Sequence, residues 1–192
     1  MNNLMLLNIA NRRAKKSNTY LKINTNVNKE IMKELKVFNT PFVLIGGWAV
    51  NNYMPARQTN DIDILVNKNN KSSIINILKE NNGVYLGPLN IEGDSFKINN
   101  LEIDVIYCDE LWEDIYNSSL IKNNIKVISL GHLIIMKLDA SRLQDLADCS
   151  RMLGYASEKE VEKVTRLIKK LRPYYLDDYF SLLTLGRLEI QS

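Results

Sequence analysis

A chain of 192 residues with 45% hydrophobic and 24% charged side chains has an ordinary globular composition, enough for one domain or a small catalytic domain with a helical appendage. A net charge of +3 is too mild to announce a nucleic-acid binder, so any such reading must rest on where the basic residues lie. The two cysteines, Cys108 and Cys149, lack metal-type spacing and imply no disulfide framework; they read as buried or incidental thiols of a reducing cytoplasm.

No stretch is long and apolar enough to span a membrane. The opening run Met1–Leu7 is too short for a signal peptide, and its basic residues Arg12, Arg13, Lys15 and Lys16 follow it instead of preceding it. Polar, asparagine-rich sequence to about residue 27 reads as a mobile N-terminal arm, with a helix expected from about Asn28 to Phe38. The basic cluster in that arm reads as solvated.

The next stretch, Val43 to Val66, organises the chain. An apolar run ends in Gly46-Gly47, an amphipathic segment follows from Trp48, and a second apolar run, Asp61-Ile62-Asp63-Ile64-Leu65-Val66, carries two acids. The pattern predicts strand, tight turn, short helix, loop and strand. Side chains alternate along a strand, so Asp61 and Asp63 share a face opposite Ile62, Ile64 and Val66. Two like charges aimed at one spot are costly unless a cation lies between them. Oxygen ligands without nearby Cys or His suit magnesium or manganese. Glycines without Cβ atoms allow a phosphate to approach the backbone at the helix start. Taken singly, acids on a strand are a wet sheet face and a glycine pair is a turn; their conjunction favours a site.

Lys71–Glu80 has helical spacing and ends at Asn81-Asn82-Gly83, and short strands follow at Val84–Leu86 and Ser95–Ile98. Leu101–Tyr107 is a strand with Leu101, Ile103, Val105 and Tyr107 on one face and Glu102, Asp104 and Ile106 on the other. Trp112 and Tyr116, four apart in a helix over Asp109–Asn117, read as packing. Ile125–Ile128 is predicted as an edge strand, and Ser129 as the N-cap of a helix over Leu130–Ala140. The single histidine, His132, lies near that start and is given no role. Lys137 sits among apolar residues of this helix, where an ammonium must snorkel, pair with Asp145 or Asp148, or meet a phosphate. Two further helices are expected over Gln144–Tyr155 and Ser157–Leu171, broken at Gly154, and a last one over Tyr174–Leu185. Lys163, Arg166, Lys169 and Lys170 lie off the apolar stripe of the second; a solvated face is the plain reading and an RNA groove the sharper one.

Gly46-Gly47, then Arg57-x-Thr59-x-Asp61-Ile62-Asp63-Ile64, then Leu101-Glu102-Ile103-Asp104-Val105 resembles the active-site pattern of the DNA polymerase beta-like nucleotidyltransferase superfamily. The Arg-x-Thr lead-in and the segment Lys137-Leu138-Asp139-Ala140-Ser141-Arg142-x-x-Asp145-x-x-Asp148 are most similar to the AbiEii-type and MenT-type toxin branch. The resemblance spans about residues 40–153. It implies an α/β (α+β) nucleotidyltransferase fold, a mixed twisted sheet flanked by helices with a C-terminal helical bundle, divided into a catalytic domain over 1–128 and a helical subdomain over 129–192. It also implies transfer of a nucleoside monophosphate from an NTP to an acceptor hydroxyl with release of pyrophosphate. On this reading Asp61, Asp63 and Asp104 hold Mg2+ or Mn2+, and Gly46, Gly47, Arg57, Thr59 and Lys137 bind the nucleotide, Thr59 by shaping its loop. Lys137 and Asp145 join the catalytic surround, while Glu102 departs from the pattern's apolar flank. The expected acceptor is RNA, at a tRNA 3′ end, and the expected protein partner is an antitoxin. A small hydroxylated antibiotic, a protein side chain, or a module that binds nucleotide without turnover are the alternatives.

Overall fold

Two strands with buried apolar faces form the middle of the sheet: β2 (Asp61–Asn67) and β5 (Leu101–Cys108) run parallel, with Asp63 opposite Asp104 and Asp61 opposite Glu102. In this computed structural model the described residues are 35, 38–59, 61–99 and 101–191. The chain forms two units, Met1–Asn39 and Thr40–Ser192. In the first, Leu35 is helical; the rest of the expected helix up to residue 37, the N-terminal arm and its basic cluster lie outside the described residues.

The second unit holds a seven-stranded mixed sheet in the order β3-β4-β5-β2-β1-β7-β6, with β1 at Phe42–Leu44, β3 at Val84–Pro88, β4 at Gly93–Ile98, β6 at Leu120–Lys122 and β7 at Ile125–Val127. Seven α-helices accompany it among the described residues: α1 (Gly46–Val50), α2 (Lys71–Glu80), α3 (Trp112–Ser118), α4 (Leu130–Ala140), α5 (Leu143–Tyr155), α6 (Glu158–Leu171) and α7 (Leu176–Gln191). The α/β class expected from the sequence is therefore the observed one.

One face of the central strands is closed. Ile62, Ile64, Val66, Ile103 and Val105 are fully buried there, and α2 buries Ile74, Ile77 and Leu78. Its Lys71 ammonium lies 4.4 Å over the Tyr107 ring and 3.2 Å from the Asp94 carboxylate. The opposite face carries the acids. β1 pairs antiparallel with β2, Leu44 opposite Ile64, so the turn after β1 comes level with Asp63, whose carbonyl accepts the Ile45 N–H at 2.9 Å.

Three expectations need correction. β7 is an inner strand: it pairs parallel with β1 and antiparallel with β6, and β6 is the true edge. The Asn123-Asn124 link between these two strands has positive φ at both residues, the backbone of a two-residue hairpin turn. Gly154 does not break a helix. It lies inside α5 because a Cβ there would come within 2.5 Å of the Gly186 carbonyl oxygen on α7, so its smallness serves a close helix crossing. The last helix also runs to Gln191 instead of ending at Leu185. Ser129 does occupy the N-cap of α4, although its hydroxyl meets His132 Nδ1 at 2.9 Å instead of capping the backbone. Ser157 forms the capping box of α6 with Glu160.

Candidate active site

Strand alternation and parallel register bring Asp61, Asp63 and Asp104 to one place, with one carboxylate oxygen from each within 4.8 Å of the other two. Asp61 is exposed, whereas Asp63 and Asp104 are half-buried. Thr59 donates its hydroxyl to Asp61 Oδ1 at 2.8 Å. Burial, and then the charges of Asp61 and Asp104, push the Asp63 carboxyl up to about 6, against the Gly47 N–H and the Lys137 charge, which pull it down. Among the described residues nothing hydrogen-bonds the buried Oδ1 of Asp104. An all-oxygen donor set, an orphaned oxygen and mutual repulsion are three conditions that one hard divalent cation relieves, so these residues fit such an ion.

The glycine pair is shaped by the acids themselves. Gly46 has φ +59, and a Cβ on it would lie 1.7 Å from Asp63 Oδ2; a Cβ on Gly47 would lie 2.4 Å from Thr59 Oγ1. Both missing side chains make room for the carboxylate and its loop. Gly46→Ala is therefore expected to displace Asp63 and to add left-handed backbone strain of about 1–2 kcal/mol. A shift of that kind typically costs about a hundredfold in rate, so turnover assays should show at least a tenfold loss with a lowered melting temperature.

Beside the acids lies a buried ion-pair network. The Lys137 ammonium donates to Asp145 Oδ1 and Asp148 Oδ2, both at 2.8 Å, and these three residues are 7%, 2% and 0% exposed. Arg57 forms a fork on Asp148, Nε to Oδ1 at 2.9 Å and Nη2 to Oδ2 at 2.8 Å. Gln144 donates to Asp148 Oδ1 at 3.0 Å, and Arg142 Nε donates to Asp145 Oδ2 at 2.6 Å. Burial raises both carboxyls, but hydrogen bonds from Arg142 and Lys137 to Asp145, and from Arg57 and Lys137 to Asp148, bring each below the usual carboxylate range. Asn51 holds the backbone of Arg57 from both sides, accepting its N–H at 2.9 Å and donating to its carbonyl at 3.0 Å. Arg57 thereby fastens the loop that leads to Thr59 and Asp61 onto α5.

The structure thus brings together Gly46, Gly47, Thr59, Asp61, Asp63 and Asp104 in one cluster, and Arg57, Lys137 and Asp145 in the adjoining network. Lys137 has the ion-pair partners named among the sequence alternatives, and Arg57 faces a carboxylate. Asp148 is the hub that sequence reasoning left outside the site set. Its signal was the spacing Asp145-x-x-Asp148, which places both acids on one helical face.

The sequence pattern of the family described as "Nucleotidyltransferase of unknown function (DUF6036)" matches residues 19–179. The chain belongs to this nucleotidyltransferase family. Among curated proteins no sequence matches it. Similar solved structures include ANT(2″)-Ia in complex with adenylyl-2″-tobramycin, with TM-score 0.48, 14% identity, and 88% of this chain and 99% of that one covered. Lincosamide antibiotic adenylyltransferase LnuA, lincomycin-bound, has TM-score 0.48 and 17% identity over 72% of this chain and 94% of that one. The Megavirus polyadenylate synthase has TM-score 0.43 and 18% identity over 77% of this chain and 31% of that one. These likenesses concern the fold alone. Membership in this nucleotidyltransferase family agrees with the class implied by the motif resemblance.

Proposed function

We propose that the protein transfers a nucleoside monophosphate from an NTP to an acceptor hydroxyl, with Asp61, Asp63 and Asp104 as the residues that hold a divalent cation, Mg2+ or Mn2+. The observation that carries this reading is the convergence of three carboxylates within 4.8 Å beside an Asp104 oxygen that, among the described residues, has no hydrogen-bond partner. When bound, the ion would neutralise charge on the phosphates and lower the pKa of the attacking hydroxyl. Gly46 and Gly47, whose missing side chains seat the Asp63 carboxylate and Thr59, would line the place of the triphosphate beside Asp63. Thr59 orients Asp61 through its hydroxyl. Lys137 adds positive charge near Asp63 while it, Asp145, Asp148 and Arg57 position the loop that carries Thr59. In this proposal residues 1–128 are the catalytic part and 129–192 the helical subdomain.

RNA, at a tRNA 3′ end, is the acceptor we favour, with a toxin role and an antitoxin partner belonging to the same reading. It is supported by the motif resemblance and by α6, whose Lys163, Arg166, Lys169 and Lys170 are all exposed. Incubation with each α-labelled NTP, Mg2+ and total RNA, followed by a denaturing gel, tests it: label in a tRNA band supports RNA transfer, and unlabelled RNA beside a labelled small molecule or protein assigns another acceptor. If RNA is bound along α6, replacing Lys163, Arg166 and Lys170 with Ala should reduce the salt slope of binding by about three, one for each phosphate contact. An unchanged slope in filter binding returns that helix to a solvated face.

A further inference from the structure

The acid-bearing face of the sheet continues past the three aspartates. Glu102 shares a face of β5 with Asp104, and the strand registers set Asp61, Glu102 and Lys97 in one row across β2, β5 and β4, with Asp63, Asp104 and Ser95 in the next. Glu102 and Lys97 are both exposed. Among the described residues no ion pair joins these two opposed charges; Glu102 Oε1 instead accepts the Ser95 hydroxyl at 3.5 Å, a long and weak contact. A carboxylate has about four lone-pair sites, so most of its accepting capacity faces solvent beside the acid cluster.

The side from which an acceptor arrives follows from the glycine pair, and here the argument rests on the transfer reaction and RNA acceptor proposed above. Gly46 and Gly47 form the turn after β1 and crowd Asp63 and Thr59, and β1 lies on the flank of β2 opposite to β5. A triphosphate lined by that turn therefore sits on the β1 side of the acids. In-line displacement puts the attacking and leaving oxygens on opposite sides of the α-phosphorus. The acceptor hydroxyl then enters from the β5–β4 side, over Glu102.

We infer that Glu102 selects acceptors with a cis-diol: its carboxylate accepts a hydrogen bond from the hydroxyl next to the attacking one, which on an RNA end is the terminal 2′-OH beside the 3′-OH. The 3′-oxygen bonds the α-phosphorus as that atom's bond to pyrophosphate breaks. The electron pair leaves with pyrophosphate and the hydroxyl proton goes to solvent, so Glu102 takes no part in bond making. An ionised carboxylate can only accept; a 2′-OH satisfies it, whereas a 2′-deoxy end leaves it facing carbon, which is how the site would tell RNA from DNA. Lys97, in the neighbouring strand about 4.8 Å further on, sets positive charge beside Glu102 and offsets its repulsion of the terminal phosphate.

The experiment compares two acceptors, a tRNA transcript ending in CCA and the same tRNA whose terminal adenosine lacks the 2′-OH, with Mg2+ and each α-labelled NTP, on wild type and Glu102→Ala. Wild type should prefer the ribo end about tenfold in kcat/KM, the scale of one hydrogen bond to a charged group. Glu102 is exposed, so Glu102→Ala should fold, and the ratio between the two acceptors should fall close to one. A merely structural role for Glu102 would slow both acceptors alike and leave that ratio standing. The same contrast should appear in binding, read by fluorescence anisotropy with Mg2+ and the α,β-methylene analogue of the NTP used, which cannot transfer. Equal rates or equal affinities of wild type for the two ends, or a preference that persists in Glu102→Ala, would overturn the inference and leave the RNA reading in place. Label in neither tRNA would overturn both.

Discussion

Asp63→Asn should abolish nucleotide transfer by orders of magnitude while making the metal-free protein more stable at pH 8. The carboxyl is pushed up to about 6 in the folded chain, against roughly 3.9 when unfolded. Between those values the folded state holds a proton that the unfolded state has released, so stability falls as pH rises from about 4 to 6 and the penalty is complete above that. Roughly two pH units correspond to about 3 kcal/mol, which the amide, carrying no charge, removes. At pH 3, below both values, Asp63 is protonated in both states, and wild type and variant should melt together. Added Mg2+ should reverse the order at pH 8, raising the wild-type melting temperature by mass action and leaving the variant unmoved. Thermal scans at the two pH values, with and without the ion, check all of this. Near wild-type turnover in the purified variant would dismiss the carboxylate from the reaction.

Lys137→Met should cost both stability and activity. Methionine keeps most of the packing volume, but the ammonium it removes bridges two carboxylates that are 2% and 0% exposed. Removing one partner of a buried ion pair typically costs about 3–5 kcal/mol because the remaining charge is stranded. Arg142 and Arg57 still hold the two acids, so the lower end, about 3 kcal/mol, is expected. In a chain of this size that is a drop of roughly 6–12 °C. Activity should fall at least tenfold, on the scale of a single lost charge near the reacting centre. Adding Asp145→Asn to Lys137→Met should recover part of the stability by removing the stranded charge, without recovering activity. A melting temperature that does not move in Lys137→Met would contradict the buried network, and full activity would place Lys137 outside the site.

The sequence made the acids legible because strand alternation is rigid: once Asp61-x-Asp63 and Asp104 lie on strands, their faces follow. The parallel pairing that sets Asp63 opposite Asp104 is a long-range choice that no local spacing reveals. The glycine pair reads from sequence as an approach point for phosphate, whereas the groups that crowd it in the structure are the Asp63 carboxylate and Thr59. Gly154 was misread because a glycine late in a helical pattern signals an end unless a second helix crosses it, and Gly186 lies 32 residues further along the chain. The β6–β7 hairpin was legible in principle, since Asn-Asn between Leu-Ile-Lys and Ile-Lys-Val is a two-residue turn signal. Asp148 as a hub could not be found locally, because Arg57 reaches it across 91 residues.

The central claim is that Asp61, Asp63 and Asp104 together hold the divalent ion on which transfer depends. Its most direct test is titration of the metal-free protein with Mn2+ at pH 8, followed by electron paramagnetic resonance of free Mn2+, on wild type, Asp63→Asn and Asp104→Asn. The wild type should deplete the free-ion signal saturably, more tightly when an NTP is present, and each variant should lose most of that uptake while remaining folded. Equal Mn2+ uptake by wild type and both variants would contradict the claim.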